Sequence, residues 1–362
     1  MSAHSVKEQR LITRDELDSI NIPVPIMLIK YDGHASILNS KMLSMLPSSI
    51  KKLRGYMPET GQMYQEAYFA ATDYATSKVS IIELLKNMIK GIDQLASYGV
   101  GMIHTAEGIG FPMDLDVSIS KLLAKGLMNP FQIRVFFQTM NTKKVHKKKL
   151  PRIGGCFETA LDGCFGSVDA ALNEPYLVGE EDIKNKGILF YDDETVNDFV
   201  LKAHKDGLQI AMHAIGDRAF DQALNAYENA LRIKPRDDHR HTIIHGCLAS
   251  EKSLKRAAKI GVLISVQPAF IQWPLEPLSY MTSLIGERAM NLNPLNSMLK
   301  AGIRISGGSD APCTVPSPIE GIYGACNHYN KEESISINDA LKMYTMSGAY
   351  AAFDEKTTGS LE

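Results

Sequence analysis

Four side chains of metal-binding or acid–base type stand near the C-terminal ends of separate apolar runs. They are Glu158 in GGCFETALDG, His213 in LQIAMHAIG, His245 in HTIIHGC and Asp310 in GIRISGGSDAP. Two imidazoles and one carboxylate form a ligand set for a catalytic zinc that leaves a fourth position for water. Bound zinc brings the pKa of that water to about 7. Asp310, facing the ion, would take the water's proton and hand it to a leaving group. Taken singly, each residue has a plainer account: a strand-end histidine hydrogen-bonded in a core, or an aspartate that caps a helix or closes a turn. The spacing favours the joint reading. Glu158 and His213 are 55 residues apart and His213 and His245 are 32 apart, where about 30 residues make one β/α unit. The two histidines then fall on adjacent strands.

Residues so far apart meet only in a fold that gathers strand ends. Seven apolar runs supply candidate strands: 99–106, 131–140, 154–163, 208–216, 241–247, 261–270 and 302–312. Their continuous apolarity suits strands buried on both faces, as in parallel sheets. Amphipathic stretches lie between them. DRAFDQALNAYENALR places Phe220, Leu224, Tyr227 and Leu231 at helical spacing behind Asp217 as N-cap, and the stretch from Ser250 to Gly261 has a sound start and stop. Such β-then-α units build either a doubly wound sheet or a barrel. No GxGxxG follows the first strand, against a dinucleotide fold. Reactive residues recur at strand ends, His104 and Gln267 among them; a barrel brings those ends to one mouth, whereas an open sheet spreads them along an edge. The expected fold is α/β, a TIM (β/α)8-type barrel over residues 81–362, with residues 1–80 a cap or insertion packed on it. Within that first segment VPIMLIKYDGHASILNSKML reads as a strand, a turn at Asp32-Gly33, then a helix, and Thr13 and Glu16 have capping-box spacing. His239 and His241 begin the run that ends in His245, so they belong to the opposite end of the barrel.

Bulk composition excludes several classes. The chain of 362 residues is 44% hydrophobic and 22% charged with a net charge of −2, which offers no bulk attraction to a nucleic acid. The basic run Lys143 to Lys149 lacks interleaved aromatics and reads as a solvated loop. Five cysteines without a CxxC point to a reduced, cytoplasmic chain. No signal peptide or membrane-spanning run is expected. Partners are then a small-molecule substrate and, with oligomeric state left open, another copy of the chain.

Several segments together resemble the metal-dependent amidohydrolase superfamily, and within it amidohydrolase family 3, the YtcJ-like group that includes N-substituted formamide deformylases and AepA-like proteins. They are TRDELDSI with PIMLIKYDGHASILNSKML, LDGCFGSVDAALNEPY, AMHAIGDRAFDQALNAYENAL, RHTIIHGC, GVLISVQPAF, GGSDAPCTVPSPIEGIYGA and DALKMYTMSGAYAAFDEKTTGSLE. The resemblance implies metal ligands at His213 and His245 and a catalytic aspartate at Asp310. It also implies substrate-side contacts near Asp32, Gly33, His34 and Asn39, and around Asp162, Gly163 and Tyr176. Trp273, in FIQWPLEPL after the penultimate strand, either lines the pocket or packs its loop. Two departures accompany it. The family's H-x-H pair, upstream of the DGH segment, has no counterpart here, and Glu158 stands where relatives often carry a carboxylated lysine. The chain reads as a family barrel lacking strand one and the accessory β-sandwich. One divalent ion, zinc by its donors, is the economical content; a second would need ligands from elsewhere. The expected reaction is hydrolysis of an amide or formamide-like, non-peptide carbon–nitrogen bond. The alternatives are a catalytically impaired barrel remnant with a binding or regulatory role and a phosphate-binding lyase or aldolase; the latter lacks a strand-end lysine.

Overall fold

The computed structural model describes residues 10–31, 33, 35–125, 130–178 and 184–361. The chain divides into two compact units, Met1–Gly91 with Gly108–Ile119 and Ile92–Glu107 with Ser120–Glu362.

The first unit holds a four-stranded antiparallel sheet. Its strands are β1 (Met27–Ile29), β2 (Ala35–Leu38), β3 (Tyr56–Met57) and β4 (Gln62–Tyr64), in the order β1-β2-β4-β3. Its core gathers Leu38, Met42, Met63, Tyr68 and Ala71 from β2, β4 and two helices. The capping box forms: Thr13 accepts from the Glu16 amide while Glu16 accepts from the Thr13 amide. The expected helix directly after the turn at Gly33 is corrected, because residues 35–38 first make β2, buried along its whole length, and the helix Ser40–Met45 follows. A short run buried on both faces has no period to distinguish strand from helix. The strands β3 and β4 and the helix Gln65–Thr76 fall within 47–80, a stretch in which the sequence marked out no element. Asn39 caps Ser40–Met45, its Oδ1 accepting from the amides of Met42 and Ile26 at 2.9 Å each. Asp32 and His34 lie outside the described residues.

The second unit is built on seven parallel strands: β5 (Met102–Glu107), β6 (Gln132–Phe137), β7 (Arg152–Ala160), β8 (Gln209–Ala214), β9 (Thr242–His245), β10 (Leu263–Val266) and β11 (Ile305–Gly307). They pair strictly in chain order, and each lies within or beside one of the seven apolar runs. Every residue of β8 is buried, as strands covered on both faces require. The helix Asp217–Ile233 buries Phe220, Leu224 and Tyr227 completely. Its N-cap is Gly216 rather than Asp217, whose carboxylate instead accepts from the backbone and side-chain amides of Asn173 at 2.9 and 3.0 Å. Ser250 and Gly261 cap the helix Glu251–Ile260 as read from the sequence. The basic run is corrected from loop to helix, Thr142–Lys147, capped by Asn141 and anchored by buried Val145, with Lys143, Lys144 and Lys147 exposed. Among the described residues no helix is long and apolar enough to cross a membrane.

Two features shape this sheet. The first is an interruption in β7. Gly155 pairs with Met212 and Ala160 pairs with His213, so residues 156–159 bulge out between two consecutive residues of β8. Gly154 and Gly155 make this possible: a Cβ on Gly154 would meet the Ala211 carbonyl oxygen at 1.9 Å, and one on Gly155 would meet Gln138 at 2.4 Å. The second is a clamp at the N-terminal strand ends. The carbonyls of Ala352 and Ala351 accept from Arg152 (2.6 Å) and Gln209 (2.9 Å), the first residues of β7 and β8. Asp354 pairs with Arg134 of β6 at 2.6 Å, and Glu355 with Arg240, just before β9, at 2.8 Å. Arg240 and Arg304, which precede β9 and β11, lie 3.8 and 4.0 Å over the Tyr350 ring. One short segment thus ties together the starts of five strands.

Candidate metal centre

At the opposite, C-terminal strand ends, the side chains converge. Among the described residues, Cys156, His245 and Asp310 each offer a donor atom within 4.8 Å of the others. Four strand spacings separate β7 from β11, about 19 Å in a flat sheet, so the sheet is strongly curled. This is how the start of a TIM-like wall brings distant strands to one mouth.

His245 ends β9, with His213 beside it on β8, ring centroids 4.7 Å apart. Burial holds both imidazoles down to about pKa 4, so both are neutral at pH 7; His213 adds to the shift at His245, and Asp310 opposes it at both. Neutral imidazole is the metal-binding form. The tautomer of His245 follows from its neighbour. Gln267, just after β10, donates its amide N–H to the Ser265 carbonyl at 3.0 Å, which turns its Oε1 toward His245 Nδ1 at 2.6 Å. Nδ1 therefore carries the proton and Nε2 keeps its lone pair for a cation. His245 at φ 74° and Asp310 at φ 52° both hold the left-handed backbone region, a cost concentrated at functional sites. Gly307, ahead of Asp310, admits the Tyr344 ring, which a Cβ would meet at 2.6 Å.

Asp162 is fully buried behind His213, its Oδ1 3.4 Å from His213 Nδ1. Its carboxylate accepts from the amides of Ala171 (2.9 Å), Ile215 (3.0 Å) and Gly216 (2.8 Å). Burial pushes its pKa up to about 7 against the pull of those amides. Tyr176 is buried in an apolar cluster with Phe165, Leu172 and Leu284 and donates to the Ala170 carbonyl at 3.0 Å. Neither side chain is turned to an open surface. Trp273 packs at 4.8 Å on Phe270, whose ring is 6.4 Å from that of His245. His104 lies in the first half of β5 beside Phe136, 6.2 Å between centroids, and Glu107 ends that strand.

Like His213, whose ring only flanks that of His245, Glu158 is outside the three-donor group. Its Oε1 accepts from the Met140 amide at 2.9 Å and from Thr139 Oγ1 at 3.2 Å, which holds the segment after β6. The side chain that β7 brings to His245 and Asp310 is Cys156, carried by the bulge. Gln138 fixes that bulge: its Oε1 accepts from the amides of Cys156 (2.7 Å) and Phe157 (3.1 Å), while its Nε2 donates to the Ala106 carbonyl at 2.9 Å. Burial raises the Cys156 thiol pKa well above the usual range, with Asp310 adding to the effect. Sequence reading counted Cys156 only among the scattered thiols. The available signal was the Gly154-Gly155 pair inside an apolar run, which marks a bulge and a change of alternation. Sulfur, imidazole nitrogen and carboxylate oxygen at this spacing are a donor set that fits a divalent transition metal.

A model of the Amidohydrolase family matches residues 2–362. The chain is 30% identical over 221 residues to the putative amidohydrolase YtcJ of Bacillus subtilis, an alignment covering 57% of this chain and 40% of that protein. It is 30% identical over 183 residues to the N-substituted formamide deformylase of Arthrobacter pascens, covering 49% of this chain and 33% of that protein. The alignments thus span less than half the length of these two curated relatives. In fold it is similar to a crystal structure of an uncharacterized metal-dependent hydrolase from Pyrococcus furiosus, with a TM-score of 0.75 at 24% identity over 98% of this chain and 72% of the other.

Proposed function

The chain belongs to the Amidohydrolase family, and from that membership together with the strand-end cluster we infer a metal-dependent hydrolase of a non-peptide carbon–nitrogen bond in a small molecule. The observation that carries the reading is the approach of His245 and Asp310 to a third donor on β7, with His213 alongside. The similarity to a formamide deformylase supports an amide or formamide-like substrate. The sulfur and nitrogen donors support zinc, and a single such cluster among the described residues supports one ion. The ordered parallel strands support a TIM-type barrel within 81–362. Five free thiols support a reducing, cytoplasmic setting.

A divalent ion held by His213, His245 and the β7 donor would acidify a water and polarise the substrate carbonyl. The chain's own residues do the rest. Asp310 accepts the proton of the attacking water and returns it to the departing nitrogen, so that the amine leaves neutral. Gln267 keeps the His245 lone pair on Nε2, and the buried Asp162 carboxylate stands 3.4 Å from His213 Nδ1. Phe270 and Trp273 offer an apolar wall to the substrate.

Metal analysis of the purified chain, paired with hydrolysis of N-substituted formamides, tests this. About one equivalent of divalent metal is expected, with turnover abolished by a chelator and restored by zinc. Wild-type protein that takes up no divalent metal would overturn the reading.

A further inference from the structure

We propose that Cys156, and not Glu158, is the donor that β7 contributes, so that the ion is held by thiolate and imidazole, with the Asp310 carboxylate facing it as the proton carrier. The proposal rests on the metal-dependent reading above and sharpens it. Three observations carry it. The Cys156 sulfur, a His245 ring nitrogen and an Asp310 carboxylate oxygen lie within 4.8 Å of one another, whereas Glu158 is outside that group. The Glu158 carboxylate already accepts from the Met140 amide and the Thr139 hydroxyl at 2.9 and 3.2 Å. Both bonds are made by Oε1, and carrying that oxygen to the cluster would strand a backbone amide.

The third observation is that the chain invests local structure in the placement of Cys156. The bulge of residues 156–159 breaks an otherwise regular ladder between Gly155 and Ala160. Its neck needs glycine at 154 and 155, where any Cβ would strike Ala211 or Gln138. Gln138, 2% exposed, satisfies the Cys156 and Phe157 amides from one side. Thr159 Oγ1 accepts from the Gly155 amide at 2.7 Å and secures the other. The thiol is thus held by the backbone on both flanks. When a metal binds, the sulfur lone pair forms the S–metal bond and the S–H proton leaves to solvent. A thiolate shifts preference toward zinc and cobalt and away from magnesium and manganese.

Cobalt(II) added to chelator-stripped full-length chain reads the assignment directly, because a sulfur-to-cobalt charge-transfer band appears in the near ultraviolet only when thiolate is bound. The band is expected to saturate at one equivalent of cobalt. It should be lost in Cys156→Ser and retained in Glu158→Gln and Cys313→Ser. Cobalt uptake without the band, or a band that survives Cys156→Ser, overturns the assignment and leaves the hydrolase reading standing. No uptake of cobalt or zinc overturns both. X-ray absorption of zinc-loaded wild type needs no variant to fold: a sulfur scatterer at about 2.3 Å supports Cys156, and a shell of nitrogen and oxygen alone overturns it.

Discussion

Gln267 shows how one amide can decide what an imidazole does. Its N–H is committed to the Ser265 carbonyl, so its oxygen fixes the proton on His245 Nδ1 and frees Nε2. Gln267→Leu removes that instruction without touching a donor atom. Metal affinity is expected to fall roughly 10–100-fold, read by competition with a chromophoric chelator; unchanged affinity would mean that the tautomer is set elsewhere. The neighbouring substitutions separate binding from chemistry. His213→Ala should lose metal and turnover together. Asp310→Asn should keep the ion and lose on the order of 10²–10⁴ in kcat, and normal turnover in that variant would remove Asp310 as the proton carrier.

At the level of elements, the parallel strands were legible as continuous apolar runs, which burial on both faces explains for β8, as in Ile210 to Met212, but not for β5, none of whose residues is buried. The short antiparallel strands β3 and β4, of two and three residues, carry no usable period. The candidate cluster was legible as residue types at strand ends: the pattern singled out His245 and Asp310, which the fold brings together, and His213, whose ring flanks that of His245. Which of Cys156 and Glu158 faces the cluster did not, since a bulge resets the alternation on which any such inference depends. The bulge also has a specific support. Gln138→Ala would leave the part-buried amides of Cys156 and Phe157 without their acceptor, at a cost of about 1–3 kcal/mol. Chemical denaturation should show that loss, and cobalt affinity should drop with it. A variant as stable as wild type would mean that the bulge holds itself.

Across the whole second unit, the two ends of the sheet carry different chemistry. The C-terminal ends gather the donors, while the N-terminal ends hold a buried relay of histidines. The Ile210 amide donates to His241 Nδ1 at 3.1 Å, so His241 donates through Nε2 to His204 Nδ1 at 2.8 Å, and His204 donates to the Lys234 carbonyl at 2.7 Å. His239 completes the group, accepting from the His241 amide and donating to the Ile260 carbonyl. Every ring is neutral in this arrangement, and a proton on His241 Nδ1 would face an N–H. Burial lowers the pKa of all three, most at His241, where His239, His204 and Arg236 add to it. The sign follows: below about pH 6.5 the unfolded chain takes up protons at these positions that the folded chain refuses. Stability is therefore complete above that value and declines as pH falls through it. Thermal unfolding of metal-free protein should give a lower Tm at pH about 5.5 than at about 7.5, with a shallower slope in His241→Asn. A Tm insensitive to pH over that window would contradict the neutral relay.

The clamp at residues 350–355 has a consequence in time as well as in energy. Its bonds join positions far apart in the chain: Arg134 to Asp354 across 220 residues, Arg152 to Ala352 across 200, and Arg240 to Glu355 across 115. Such contacts contribute nothing until very long loops have closed, which slows folding and defers these contacts to its later stages. Asp354→Ala should then speed unfolding while leaving the folding rate nearly unchanged, as stopped-flow measurements would show. In the interval before the clamp engages, the strand starts of β6 to β9 stand together without the segment that binds them. During that interval the unbound strand starts are where aggregation is expected to begin.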